Sequence, residues 1–135
     1  MFRLVGFLLF IGILAGSQAY AEDEQDAVPA TQYIYFERAL VINFGSSGRI
    51  RYLRTEIALK VSSKEAAGKV SQHKPYLRNT LVFLLSGQES DAVNTSQGRE
   101  ILRKQALEAV RVTLQTLEGM PYVDDLFFNT FVVQN

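Results

Sequence analysis

The sequence predicts an α+β domain, a small antiparallel sheet packed by two or three helices. Three observations carry this. Residues 52–61 alternate apolar and polar with period two, the signature of a half-buried strand. Residues 96–117 carry a helical apolar stripe between a capping residue, Asn94 or Thr95, and a stop at Gly119. Residues 123–134 are rich in Phe and Val and have strand length.

The elements follow in chain order. The apolar run Leu4 to Ala15 contains Gly6 and Gly12 and is interrupted at Ser17 and Gln18. A membrane span needs ~20 predominantly apolar residues, so this run has the length of a signal-peptide core. Arg3 precedes it, and Ala19-Tyr20-Ala21 forms a small-x-small site before Glu22. Residues 1–21 are therefore expected to be a signal peptide cut after Ala21. The alternative is an uncleaved anchor over residues 4–21. Residues 22–32 are acidic, contain Pro29, lack apolar periodicity and read as a flexible linker. The domain is expected over residues 33–135.

Residues 33–44 are aromatic and β-branched and give one or two short strands. Gly45-Ser46-Ser47-Gly48 fits a hairpin loop, because its glycines accept positive φ. In the next strand Leu53, Thr55, Ile57, Leu59 and Val61 share one face, and Tyr52, Arg54, Glu56, Ala58 and Lys60 the other. Ser62 and Glu65 form a capping-box pattern at the start of a helix. Pro75 imposes a kink or a restart. In the helix that follows, Leu77, Leu81, Leu84 and Leu85 make an apolar stripe, while Val82 and Phe83 fill the remaining directions. That half of the helix is expected to be covered on several sides. Residues 88–98 read as a polar loop. The long helix presents Leu102, Ala106, Ala109, Val110, Thr113 and Leu117 inward, with Arg99, Arg103, Lys104, Glu108 and Arg111 toward water. Because both faces of residues 123–134 are apolar, that strand is expected at the centre of a sheet, or between a sheet and an interface.

Charge and composition exclude several functions. Basic and acidic residues number 14 each. Arg49, Arg51 and Arg54 are followed by Glu56 and read as a solvated strand edge, so the basic stripe of a nucleic-acid binder is missing. With no cysteine, no disulfide framework is available. His73 is the one histidine and lies on a polar turn, which reads as a solvated position. Asp124 and Asp125 are strand neighbours and point to opposite faces. No catalytic, cofactor-binding or metal-ligating set can be assembled from these residues, and the chain reads as a non-enzyme. Candidate contact residues are Arg54 and Glu56 on the wet strand face, with Arg78 and Asn79. Arg78 sits in the first turn of a helix, where the dipole disfavours a cation. It either snorkels to water or is held by a carboxylate, within the fold or across a subunit interface.

Several segments, in order, resemble the periplasmic domain of the FliL family of flagellar basal-body-associated proteins. They are Asn43-Phe44, Tyr52-Leu53, Pro75-x-x-Arg78-Asn79, Leu84-Leu85-Ser86, Thr95-x-x-Gly98, Leu102 and Phe128-x-x-Phe131-Val132-Val133-Gln134. The resemblance covers most of residues 39–134. It implies a stomatin-like (SPFH-like) fold and a role without a reaction: periplasmic rings around the flagellar stator, MotA and MotB, that support torque generation. It also implies self-association and no cofactor. Family members normally carry a membrane helix after a cytoplasmic stretch. A cleavable signal in its place would make this chain a soluble relative, recruited beside a membrane-anchored one. Two alternatives belong to other classes: a periplasmic scaffold of another envelope complex, and a small-ligand carrier using the Phe-rich strand as a pocket wall.

Overall fold

The computed structural model describes residues 30–45 and 48–134. The expected signal segment, its cleavage residues Ala19, Ala21 and Glu22, and all but the last three linker positions lie outside the described residues. The elements are β1 (Gln32–Tyr35), β2 (Leu40–Phe44), β3 (Arg51–Val61), α1 (Lys64–Gln72), α2 (Lys74–Ser86), α3 (Ser90–Asn94), α4 (Ser96–Glu118) and β4 (Val123–Gln134). They form an α+β domain with a small antiparallel sheet.

All sheet pairing runs through β3. β1 pairs with its second half, from Ala58 to Val61, and β2 with its first half, from Arg51 to Thr55, so the two short strands share one edge. β4 runs along the other edge, from Tyr52 to Val61. The register slips at two places, leaving Asn129 and Asp124 of β4 without an opposite residue. The period-two reading of β3 holds over most of its length: Leu53, Thr55, Ile57, Leu59 and Val61 are buried and Tyr52, Arg54 and Glu56 exposed, but Ala58, expected on the wet face, is buried and Lys60 is half-buried. Thr55, the one buried polar residue among those described, donates its hydroxyl to the Thr130 carbonyl at 2.7 Å, which removes the penalty for burying it. Gly45 and Gly48 carry φ of +92° and +81°, as the β2–β3 hairpin requires.

The helices cover the inner face of the sheet. Leu77, Leu81 and Leu85 of α2 join Leu102, Ala106, Val110 and Leu114 of α4, Val70 of α1 and the inner β3 side chains in one core. Thr95 caps α4 by accepting from the Gly98 N–H at 2.9 Å, and Gly119 ends it at φ +77°. Pro75 produces a restart: α1 ends at His73 and α2 begins at Lys74, with proline in its first turn.

Several readings change. On α4, Leu117 is exposed and Leu114 takes the buried position instead. The cap of α1 is Ser63, which accepts from the Ala66 N–H at 3.0 Å, because Ser62 donates its hydroxyl to Asp124. Residues 90–94 of the expected loop form α3, whose Val93 is buried. The backbone of α3 passes so close to α4 that a Cβ on Gly98 would lie 2.4 Å from the Asp91 carbonyl oxygen. β4 is an edge strand, pairing with β3 alone among the described residues. Its large residues are instead shared between the core side, with Leu126, Phe128, Phe131 and Val133, and an uncovered side. Arg103 and Arg111 do not simply face water: Arg103 reaches the Asp125 carboxylate and, at 3.1 Å, the Leu126 carbonyl, and Arg111 donates to the Val123 carbonyl. Finally, α2 is left uncovered on one side, where Phe83 is 82% exposed.

Core and cap substitutions test this packing. Leu102→Ala should cost about 2–5 kcal/mol, as expected for a fully buried leucine. Arg103→Ala should cost less, about 1–2 kcal/mol, since its ion pairs are partly solvated. Gly98→Ala should cost about 1–3 kcal/mol despite alanine's better helix propensity, because the two backbones must separate. Urea unfolding of the three variants checks the order. A neutral or stabilising Gly98→Ala would rule out the close α3–α4 approach.

Candidate interaction surfaces

Among the described residues no group of His, Cys, Asp and Glu could hold a metal ion. No described helix is long and apolar enough to cross a membrane, and α4, at 23 residues, is amphipathic. The titratable residues are instead absorbed into links between elements. His73, expected to be solvated, is 15% exposed at its side chain, and its Nε2 meets the Glu118 carboxylate at 2.6 Å. Lys69 Nζ reaches the same carboxylate at 3.0 Å. One acid at the end of α4 thus holds the end of α1. Hydrogen bonds from His73 and then Lys69 bring the Glu118 carboxyl below its ordinary pKa, and Glu118 in turn raises that of Lys69. Asp124 and Asp125 take different partners, Ser62 and Arg103, and form no joint site.

Arg78 is held by backbone carbonyls of its own domain. Its Nη1 donates to the Arg38 carbonyl at 2.8 Å and its Nη2 to the Ala39 carbonyl at 3.1 Å. These carbonyls belong to the β1–β2 connection, where no strand partner exists to satisfy them. Lys74 reinforces the same corner through Glu37 at 3.3 Å. The cation is therefore used inside the fold, docking α2 onto the turn before β2. Nothing in the sequence marked those carbonyls as unsatisfied, so the partner was not legible there.

The other three candidates remain at the surface, on opposite sides of the domain. Arg54 and Glu56 project from the outer face of the sheet, which none of the described helices covers. Their row neighbours are Val41 and Val132 for Arg54, and Thr130 for Glu56. Tyr33, Tyr35, Val41, Tyr52 and Val132 are all exposed on this face, which is apolar well beyond scattered single residues. Asn79 lies on the exposed ridge of α2, between Tyr76 and Phe83 at helical spacing. A third feature is a groove of about 370 Å³ between α4 and β4, lined by Phe127, Phe128, Phe131, Arg99 and Arg103. The Arg99 guanidinium sits 5.6 Å from the centre of the Phe131 ring, and Phe128 meets Phe131 edge-on at 5.1 Å. The Phe-rich strand thus walls an open groove on the domain surface.

The chain is thus a two-layer α+β domain that exposes apolar side chains on the outer sheet face and on α2. Comparison with known proteins identifies the family. The profile of the family described as flagellar basal body-associated protein FliL matches residues 33–134, and the chain belongs to that family. It is a family of flagellar accessory proteins and not of enzymes. The chain is 27% identical to the flagellar protein FliL of Aquifex aeolicus (strain VF5) over 94 residues, covering 70% of this chain and 56% of that protein. It is 25% identical to the flagellar protein FliL of Escherichia coli (strain K12) over 122 residues, covering 87% of this chain and 75% of that relative. The chain thus spans little more than half the length of the Aquifex relative.

The Glu118 links give a pH prediction. A carboxyl whose folded pKa is lowered contributes stability above its unfolded pKa, and loses it as pH falls through the folded value. Acidification from neutral pH through the carboxylate range should therefore weaken the α1–α4 junction. Glu118→Gln should be less stable than wild type at pH 7 and approach it in acid. Thermal melts across that range check this, and parallel acid limbs for the two proteins would contradict it.

Proposed function

We propose that the chain is a non-enzymatic accessory protein of the flagellar motor, working in the periplasm on the inner-membrane side of the basal body. It forms or joins a ring around the stator, MotA and MotB, and supports torque generation and motility. The observation that carries this reading is the family match over nearly the whole described domain. The uncovered sheet face bearing Arg54 and Glu56, and the α2 ridge bearing Asn79, support it as surfaces for subunit contact. A sheet packed on one face by helices is compatible with the stomatin-like architecture the resemblance implies. Residues 1–21 act as a signal peptide, with Ala19 and Ala21 in the cleavage pocket and Glu22 as the new first residue. Residues 22–32 tether the domain, and a membrane-anchored FliL relative is its partner at the motor.

Two measurements test this. The intact mass of the exported protein should correspond to a start at Glu22. A mass retaining Met1, with extraction only by detergent, would replace the signal by an anchor. A tagged copy should co-localise with flagellar bases when stators are present and disperse when they are removed. Deleting the gene should slow swimming under high viscous load before it affects filament number. Diffuse signal in motile cells, with unchanged swimming and swarming in the deletion strain, would reject the motor role.

A further inference from the structure

The outer edge of β4 is guarded in its first half and open in its second. Near the start, the Val123 and Leu126 carbonyls accept from Arg111 and Arg103, and the Leu126 N–H donates to the Asp125 carboxylate. Leu126 thus turns both backbone groups away from β3, and in an antiparallel strand every second residue does the same. Beyond the bulge at Asn129, residues 130–134 pair with residues 52–56 of β3 along one edge. Among the described residues, nothing bonds the backbone groups of their other edge. That stretch runs about 17 Å, an ordinary strand length. Its sequence, Thr-Phe-Val-Val-Gln, contains neither a charge nor a proline, the usual guards of an edge. The arginine row of α4 changes at the same place. Arg111 and Arg103 hold carbonyls, and Arg103 is matched by Glu100 and Asp125. Arg99, one turn before Arg103, comes next along β4, and its guanidinium lies over the Phe131 ring at 5.6 Å with no carboxylate beside it among the described residues.

We infer that residues 130–134 take an extended, acidic peptide segment of another protein, which adds to the sheet as a strand beside β4 and sets a carboxylate on Arg99. This rests on the accessory role proposed above and gives it a kind of partner. Two observations define the occupant. A row of outward N–H and C=O groups is satisfied along its length by another extended backbone, in the manner of strand addition. The unmatched Arg99 selects a carboxylate, because its fork can hold both carboxylate oxygens at once. Ser96, the first residue of α4, lines the same groove, so the positive end of the helix dipole adds to the attraction. Side chains of the added strand alternate, and those on the groove side meet Phe128 and Phe131. The strand order across this end of the sheet becomes β2, β3, β4, peptide. Main-chain bonds supply the affinity, and Arg99 with the phenylalanine wall supplies the selectivity.

The probe is a fluorescein-labelled hexapeptide of alternating Thr and Val with one central Thr replaced by Glu. Copies carry Gln or Lys in place of the Glu, or N-methyl groups on alternate backbone amides in one phase or the other. With the purified full chain, anisotropy should show saturable binding of the Glu peptide, and hydrogen exchange should slow in residues 130–134. The Gln copy should bind several-fold more weakly, as should the Glu peptide to Arg99→Gln, whose melting curve should be unchanged. Arg99→Glu should reverse the preference in favour of the Lys copy. Methylation in one phase should abolish binding and in the other leave it intact, because one set of amides faces β4 and the other faces away. Two methylated copies that bind like the parent would mean a cleft that reads side chains, and would overturn strand addition. Displacement by succinate at the concentration at which unlabelled peptide displaces would mean a small-carboxylate site and overturn it too. Protection on β1 or β2, equal binding of the Glu, Gln and Lys copies, or no saturable binding of the Glu peptide would each do the same. The measurement needs no motor, so its failure leaves the motor role to the co-localisation test, and failure there leaves the peptide site standing.

Discussion

The whole domain depends on the pairing of three strands with one. β3 carries every sheet hydrogen-bonding partnership, so its alternation decides which side of the domain is core and which is surface. A slip of one residue would turn Leu53, Ile57 and Leu59 to water and carry Arg54 and Glu56 under the helices. The inner side chains are fully or almost fully buried, which fixes the register strongly. The two bulges fall on β4, where Asn129 and Asp124 absorb the mismatch, and leave the alternation of β3 undisturbed.

The helices are tied to this sheet by arginines that seek carbonyls. Arg78 docks α2 on the β1–β2 turn, and Arg103 and Arg111 dock α4 on β4. Backbone carbonyls without a ladder partner must be satisfied somewhere, and a guanidinium offers several donors in a fixed fork. The hydrogen bond to Glu100, and then that to Asp125, hold the Arg103 pKa above the usual range for arginine, against the opposing effect of burial. Several of the positive charges in this protein thus serve to fasten one element to another.

How much of this the sequence discloses depends on whether a residue's role is local. The alternation of β3, the Thr95 cap, the Gly119 stop and the hairpin glycines are local, and all are legible. The position of β4 is not, because large residues on both faces look alike whether a strand is central or sits at an edge beside an uncovered surface. Arg78 was singled out for an unfavourable place on a helix, yet its carbonyl partners are about 40 residues away in sequence. Likewise His73 looks solvated beside Gln72 and Lys74, and becomes half of a link once α4 brings Glu118 alongside. The family resemblance read from short segments agrees with the match over residues 33–134. Of the four candidate contact residues, Arg54, Glu56 and Asn79 are exposed, and the half-exposed Arg78 is bonded to carbonyls of its own domain.

The arginine fastenings have a consequence for how copies can crowd together. An edge strand offers free carbonyls to any passing chain. Two carbonyls of β4, those of Val123 and Leu126, are already claimed from α4, and the Leu126 N–H is taken by the Asp125 carboxylate. That half of the strand is thus poorly suited to templating an extended intermolecular sheet. Pairing with another strand along that half would first have to release these groups from their partners within the domain.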